Sequence, residues 1–237
     1  MLEFFTDPNI AKVLPTLPFE IWETLYSTVL ATLAAYVLGL PLGVLLVVGE
    51  KGGVLELPQP LMKVLNAIIN LLRSMPFLIL MIMVLPLSMA LLGTSVGTAA
   101  SIPPLVIAAF PFIARVVESS LREVDKGVIE AAQSMGCSPW EIIVKVMIPE
   151  SLPSLLSGAT IALTTILGYG AMAGIIGGGG LGKVAINYGY YRYNYPVMFI
   201  AVILLIIIVQ IFQSVGSRLA VKCDKRINFN NKGRTKK

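Results

Sequence analysis

EAAQSMGCSPWEIIVKVMIP, residues 130–149, decides how this chain reads. It is a polar island between strongly apolar segments. Glu130, Ala131 and Ala132 favour a helix, and Gly136 suits the left-handed residue that ends one. Ser138 reads as the N-cap of a second helix, with Pro139 at its first position and Glu141 completing a capping box. That helix is expected to run through Trp140, Ile142, Ile143 and Val146 to about Met147, with Ile143 on its exposed apolar face. The island is therefore predicted as two short helices at an angle, joined by a tight turn.

The rest of the chain belongs in a bilayer. Of its 237 residues 56% are hydrophobic and 13% charged, against roughly 25% charged in soluble domains. Several apolar stretches reach the roughly 20 residues a membrane helix needs. A membrane chain has little reason to fold a knob such as residues 130–149 into water unless something docks on it. There is no histidine, which excludes histidine acid–base chemistry and histidine metal sites. Cys137 and Cys223 are far apart and both fall in segments expected in the cytoplasm, so a structural disulfide is not expected. A cleavable signal peptide is not expected either, since the N-terminus carries Glu3 and Asp7 in place of a basic segment.

Five spans are predicted, an all-α polytopic fold. Residues 1–21, broken by Pro8, Pro15 and Pro18, read as an amphipathic lead-in. The first span covers residues 22–48, with Gly39 and Pro41 suggesting a bend. Residues 54–73 look amphipathic and carry Lys63 and Arg73; Arg73 suits either snorkelling to headgroups or a contact inside an assembly. The second span follows to about Leu92, with kinks implied at Pro76 and Pro86. The third covers residues 102–120 and ends in Arg115, Glu118, Ser119 and Arg122, spaced for ion pairs on one helix face. The fourth, residues 152–176, is rich in small residues, and Gly170 and Gly174 make a small-xxx-small step. Such a helix either lines a pathway or packs closely at the middle of an assembly. A glycine-rich loop (177–182) and a tyrosine-rich segment (187–195) precede the fifth span, residues 196–213. The tail, 218–237, holds eight basic residues against one acid, Asp224, and is expected to favour anionic lipid.

Orientation follows from Lys and Arg. The N-terminal segment and the loops near residues 95 and 185 together hold three; the alternate segments and the tail hold fifteen. The positive-inside rule then puts the N-terminus outside, and the C-terminus and the residue 130–149 island in the cytoplasm.

GGGGLGKV, residues 177–184, half-matches two phosphate-binding motifs. Val184 stands where a P-loop needs Ser or Thr, and the context is a membrane helix rather than a β-strand. Nucleotide binding is not expected there, and a flexible loop closing against a partner is the plainer reading. No acid sits deep in an apolar span, which argues against proton coupling. The missing histidine and the lack of a buried nucleophile set disfavour a membrane enzyme.

Glu130, Ala131, Ala132 and Gly136, followed nine residues later by Val146, Met147, Ile148 and Pro149, resemble the EAA signature of ABC-importer permeases. RSMPF (73–77), PFIARVVESSLREVDKGVIEAAQSMG (111–136), GYGAMAGIIGGGGLG (168–182) and NYGYYRYNYPVM (187–198) look like the methionine-uptake permeases of that group. The resemblance implies a five-span permease domain over residues 22–217 and a coupling loop within 123–150 that docks on a separate ATPase. Glu130, Ala131, Ala132, Gly136, Ser138, Pro139, Trp140 and Ile143 would make that contact. It implies a homodimer with two ATPase copies, a methionine-delivering extracytoplasmic binding protein, and a bacterial inner-membrane location. Met172 matches the family's gate methionine. The subunit itself is expected to be non-catalytic, with no cofactor, metal or nucleic-acid partner. The basic extension after about residue 227 is not required by the family pattern. A permease for another small solute remains open, as does, from another class, an ATP-independent carrier or channel; the latter leaves the residue 130–149 island unexplained.

Overall fold

The structure is a computed structural model and describes residues 13–224. Phe4, Phe5 and Ile10 of the expected lead-in, and the tail beyond Asp224, lie outside the described residues. Among the described residues every regular element is helical. The helices are α1 (Leu17–Val48), α2 (Gln59–Ser74), α3 (Phe77–Leu92), α4 (Thr98–Arg122), α5 (Lys126–Ser134), α6 (Pro139–Glu141), α7 (Ile148–Glu150), α8 (Leu152–Ala173), α9 (Gly180–Lys183) and α10 (Tyr195–Cys223). Two π-helical runs, Ile142–Met147 and Val184–Tyr190, join α6 to α7 and extend α9.

Among the described residues four helices are long and apolar enough to cross a bilayer: Leu14–Val48, Thr98–Arg122, Leu152–Ile176 and Tyr195–Cys223. Counted as one broken span, the pair α2 and α3 makes the number five; a bend of 108° separates its halves at the break before Phe77. Pro76 causes it, because proline disfavours helix at the residue before it and has no N–H to give. The 16 residues of α3 make only about 24 Å of helix, short of a ~30 Å hydrocarbon core. By contrast Pro86 is carried inside α3 and Pro41 inside α1, both of which continue as single helices. The first span begins at Leu17, five residues before the expected Trp22, with Pro18 tolerated in its first turn.

The chain forms two compact units. Of the described residues, one comprises 36–73, 110–162 and 213–224. Its centre is Leu46 of α1, Met62 and Ile69 of α2 and Ala114 of α4. Here α1 and α4 touch at backbone distance. A Cβ on Gly39 would stand 2.7 Å from Ile113 Cγ2 and 2.9 Å from the Phe110 carbonyl; one on Gly43 would stand 2.6 Å from the Ala114 carbonyl. Gly39 and Gly43 are four apart, so they form a close-packing seam. Gly39, read from the sequence with Pro41 as the mark of a bend, is thus also a contact.

The other unit comprises, of the described residues, 13–35, 74–109 and 163–212. Leu167, Leu181 and Ile208 are buried at its centre, with Ile21 and Leu25 of α1 against them. The glycine-rich stretch read as a flexible loop is ordered here. A left-handed Gly177 (φ 88) ends the preceding turn, and from Gly180 the chain is helical with Gly180, Leu181 and Gly182 buried. The fragment of a phosphate-binding pattern is thus accounted for by close backbone packing.

Candidate functional site

The island of residues 130–149 folds as its sequence dictates. Asp125 caps α5 by accepting the Gly127 N–H at 2.7 Å. The helix ends at Gly136, whose φ of 79° is open to glycine at little cost, and the Gly136 and Cys137 N–H groups bond to the carbonyls of Gln133 and Ala132. Ser138 then caps α6. The Glu141 N–H donates to Ser138 Oγ at 3.4 Å, and Glu141 Oε2 accepts from the Ser138 N–H at 3.1 Å. Lys145 Nζ holds the other carboxylate oxygen at 2.8 Å.

That pairing sets a pH range. The Lys145 ammonium, then the Ser138 hydrogen bonds, hold the Glu141 pKa down at about 2. A depressed carboxylate stabilises fully above its ordinary 4.5 and loses its effect as pH falls toward 2. Amide exchange at Ser138 and Glu141, followed by NMR after correction for the intrinsic rate, is therefore expected to stay protected down to about pH 4.5 and to accelerate below it. In Glu141→Gln this acid-dependent step should vanish.

The structure sorts the expected contact residues. Glu130, Ala131, Gly136, Ser138, Pro139 and Trp140 are exposed, Trp140 at 71%. Ala132 and Ile143 are not: they are buried at 2% and 6%, together with Ile142 and Met147. Ile143 therefore anchors the island to its own chain and is not on the exposed apolar face. It shares that buried face with Met147, four residues on. Both lie in the π run, in which the Ile148 N–H reaches back five residues to the Ile143 carbonyl, and these wider turns lie ahead of Pro149, whose ring would clash with the Lys145 carbonyl in a regular α-helix. The exposed apolar positions are Met135, Trp140 and Val144.

A polar frame stands beside the island. Arg115 donates to Glu118 at 2.6 Å and to the side-chain carbonyls of Asn66 and Asn70 on α2, at 2.8 and 2.9 Å. Arg122 bonds Glu118 and, with both Nη groups, Glu50. The sequence spacing announced the pairs within α4; Glu50, 72 residues away, carried no such signal. A cavity of about 430 Å³ opens next to this frame, lined by Glu50, Lys51, Arg122, Lys126, Glu130 and Gln133 among others. Arg73 is exposed at the end of α2.

On α8 and in the 3-10 turn Gly174–Ile176 that continues it, the small residues divide by role. A Cβ on Gly174 would stand 2.6 Å from the Gly182 carbonyl carbon and the Lys183 nitrogen, so this glycine serves packing. Gly168 and Gly170 have nothing within 4 Å of a Cβ position. Met172 is 48% exposed and Ile175 44%, so with Gly168 they form an uncovered face of α8. Tyr169 stacks on Phe77 with ring centroids 4.1 Å apart. Sequence reasoning also missed a polar cluster on α1, with Glu20 and Thr24 buried and Glu23 half-buried; its signal was three polar residues at positions i, i+3 and i+4.

Residues 39–228 match the family described as binding-protein-dependent transport system inner membrane component. The chain is 49% identical over 205 residues to the probable D-methionine transport system permease protein MetI of Vibrio cholerae, covering 86% of this chain and 91% of that one. It is 50% identical over 163 residues to the methionine import system permease protein MetP of Bacillus subtilis, covering 69% and 73%. A solved structure of the MetNI methionine ABC transporter in an inward-facing conformation superposes with a TM-score of 0.88 at 42% identity, over 90% of this chain and 99% of that one. An amino acid ABC transporter at 21% identity shares the fold, with a TM-score of 0.73.

Proposed function

We infer the function from membership: this chain belongs to the family of binding-protein-dependent transport system inner membrane components, and it works as the permease subunit of an ATP-driven methionine importer. The observation that carries this reading is the island of residues 130–149. It is capped at both helix starts, anchored by Ile142, Ile143 and Met147, and presents Met135 and Trp140 outward. Exposed Trp is the residue type that concentrates binding energy at protein interfaces. The permease domain is residues 22–217, with the coupling loop at 123–150 and the basic tail at 218–237. Glu130, Ala131, Gly136, Ser138, Pro139 and Trp140 face the ATPase, while Ala132 and Ile143 hold the loop in place.

The subunit hydrolyses nothing itself; two copies of a partner ATPase do so. The charge count supports an N-terminus outside and a C-terminus in the cytoplasm of the bacterial inner membrane. Five spans enclose little by themselves, and a second copy of the chain, with the solute path on the two-fold axis, covers the open face of α8. An extracytoplasmic binding protein delivers methionine. ATP closes the two ATPases, the short helices move with them, and the permease halves alternate their access.

Reconstitution in liposomes with the ATPase and binding protein tests this. Uptake of labelled methionine is expected to require ATP and to be competed by methionine analogues but not by glutamine or phosphate. ATP-dependent uptake of another solute would discard the substrate, and indifference to the ATPase would discard the class. Met172 is the gate on the open face of α8, and Met172→Ala is expected to raise basal ATPase activity or methionine leak. Wild-type values of both would leave it a packing residue.

A further inference from the structure

We propose that Glu20, Glu23, Thr24 and Lys183 form a clamp that positions the gate end of α8, a proposal that rests on reading Met172 as the gate. Glu20, Glu23 and Thr24 share one face in the first turns of α1. Glu23 Oε2 accepts the Gly180 N–H at 3.0 Å, and Thr24 Oγ1 accepts the Leu181 N–H at 2.8 Å. Lys183 Nζ donates to Glu20 Oε1 at 2.9 Å. The first amides of a helix have no partner within it, and Gly179, at the N-cap of α9, has no side chain to offer. The cap therefore comes from another helix, so α9 is tied to the start of α1 by two backbone donors and one ion pair.

The environment makes the tie costly to break. Glu20 is 4% exposed and Thr24 8%. A carboxylate buried to that degree is strongly destabilised when its cation leaves. The Glu20 carboxylate in turn raises the Lys183 pKa above its ordinary value, so the ammonium stays charged. Beside it the Gly97 N–H donates to the Gly177 carbonyl at 2.8 Å, which holds the turn after α8. From α9 the contact passes to the gate helix, because Gly174 lies against the backbone of Gly182 and Lys183. Gly174 is two residues beyond Met172. The clamp thus fixes where the end of α8 stands against the start of α1, at the outer end in the proposed orientation.

The test uses the full permease–ATPase complex in liposomes without ATP, reading efflux of preloaded labelled methionine. Lys183→Met and Thr24→Val, the second nearly isosteric, are expected to raise efflux about tenfold, the size of losing a hydrogen bond to a charged or buried partner. The exchanged pair Glu20→Lys with Lys183→Glu is expected to return efflux toward wild type. Wild-type efflux in both single variants, with or without a lower Tm, would overturn the proposal, and so would an exchanged pair as leaky as Lys183→Met. Met172→Ala in the same assay separates the two readings. If it is tight while Lys183→Met leaks, Met172 is not the gate and the clamp stands as the barrier itself. If it leaks while both clamp variants are tight, the clamp is discarded and the gate kept.

Discussion

Gly136→Pro is expected to abolish ATP-dependent uptake while leaving the chain inserted in the membrane. Gly136 has a φ of 79° and donates its N–H to the Gln133 carbonyl. Proline fixes φ near −65° and has no N–H, so both features are lost, at a cost of about 3 kcal/mol or more, enough to reduce the docked geometry roughly a hundredfold. The damage is local, because Gly136 is exposed and no Cβ neighbour lies within 4 Å. Trp140→Glu probes the surface without disturbing the turn. If Trp140 is a central anchor, its loss costs about 2 kcal/mol, roughly thirtyfold in affinity for the ATPase. Ile143→Glu should behave differently. At 6% exposure it buries a charge in the chain's own packing, so the yield of folded protein drops and not merely coupling. Protease mapping for insertion, pull-down of the ATPase and uptake separate the three. Full uptake by Gly136→Pro would end the coupling reading.

Gly174→Val is expected to destabilise the purified protein outright. Its Cβ would sit 2.6 Å from two backbone atoms of Gly182 and Lys183, which cannot swing aside as a side chain can. Overpacking of this kind costs about 1–3 kcal/mol, and 1 kcal/mol lowers Tm by about 2–4 °C in a chain of this length. Gly168→Val and Gly170→Val, on the α8 helix that Gly174 follows, change the same residue type but meet nothing within 4 Å. Both should keep the wild-type Tm, and Gly168→Val, on the open face with Met172, should also lose uptake, the result expected if that face lines the solute path. Equal thermal shifts in all three would mean that small residues on α8 serve packing alone.

These contrasts show what a sequence carries. The island was legible down to its capping box, because caps and left-handed glycines are local events written in neighbouring residues. The long spans were legible because bilayer thickness fixes their length and lipid fixes their composition. What escaped depends on partners distant in sequence. Ile143 faces inward with Met147, and which apolar positions of this stretch pack on the chain is decided by the neighbours they meet, not by their own spacing. The glycine-rich stretch looked loose, yet its amides are held by Glu23 and Thr24, 157 residues away. Gly39 and Gly43 were readable in principle from their spacing, but Pro41 between them drew attention to a bend.

The seam at Gly39 and Gly43 also sets a timetable for biogenesis. Its complement on α4, from Phe110 to Val117, leaves the ribosome roughly seventy residues later, about 4–15 s at ordinary elongation rates. For that interval α1 is in the membrane with two bare turns of backbone and nothing to receive them. Lipid chains fill such a notch poorly, so a newly inserted α1 is a natural client for an insertase or for mispairing with another nascent helix. Stalling translation while residues 110–122 are still inside the ribosome, and again once they have cleared it, brackets that window. Crosslinking from Leu42 should capture a foreign partner in the first case and α4 in the second.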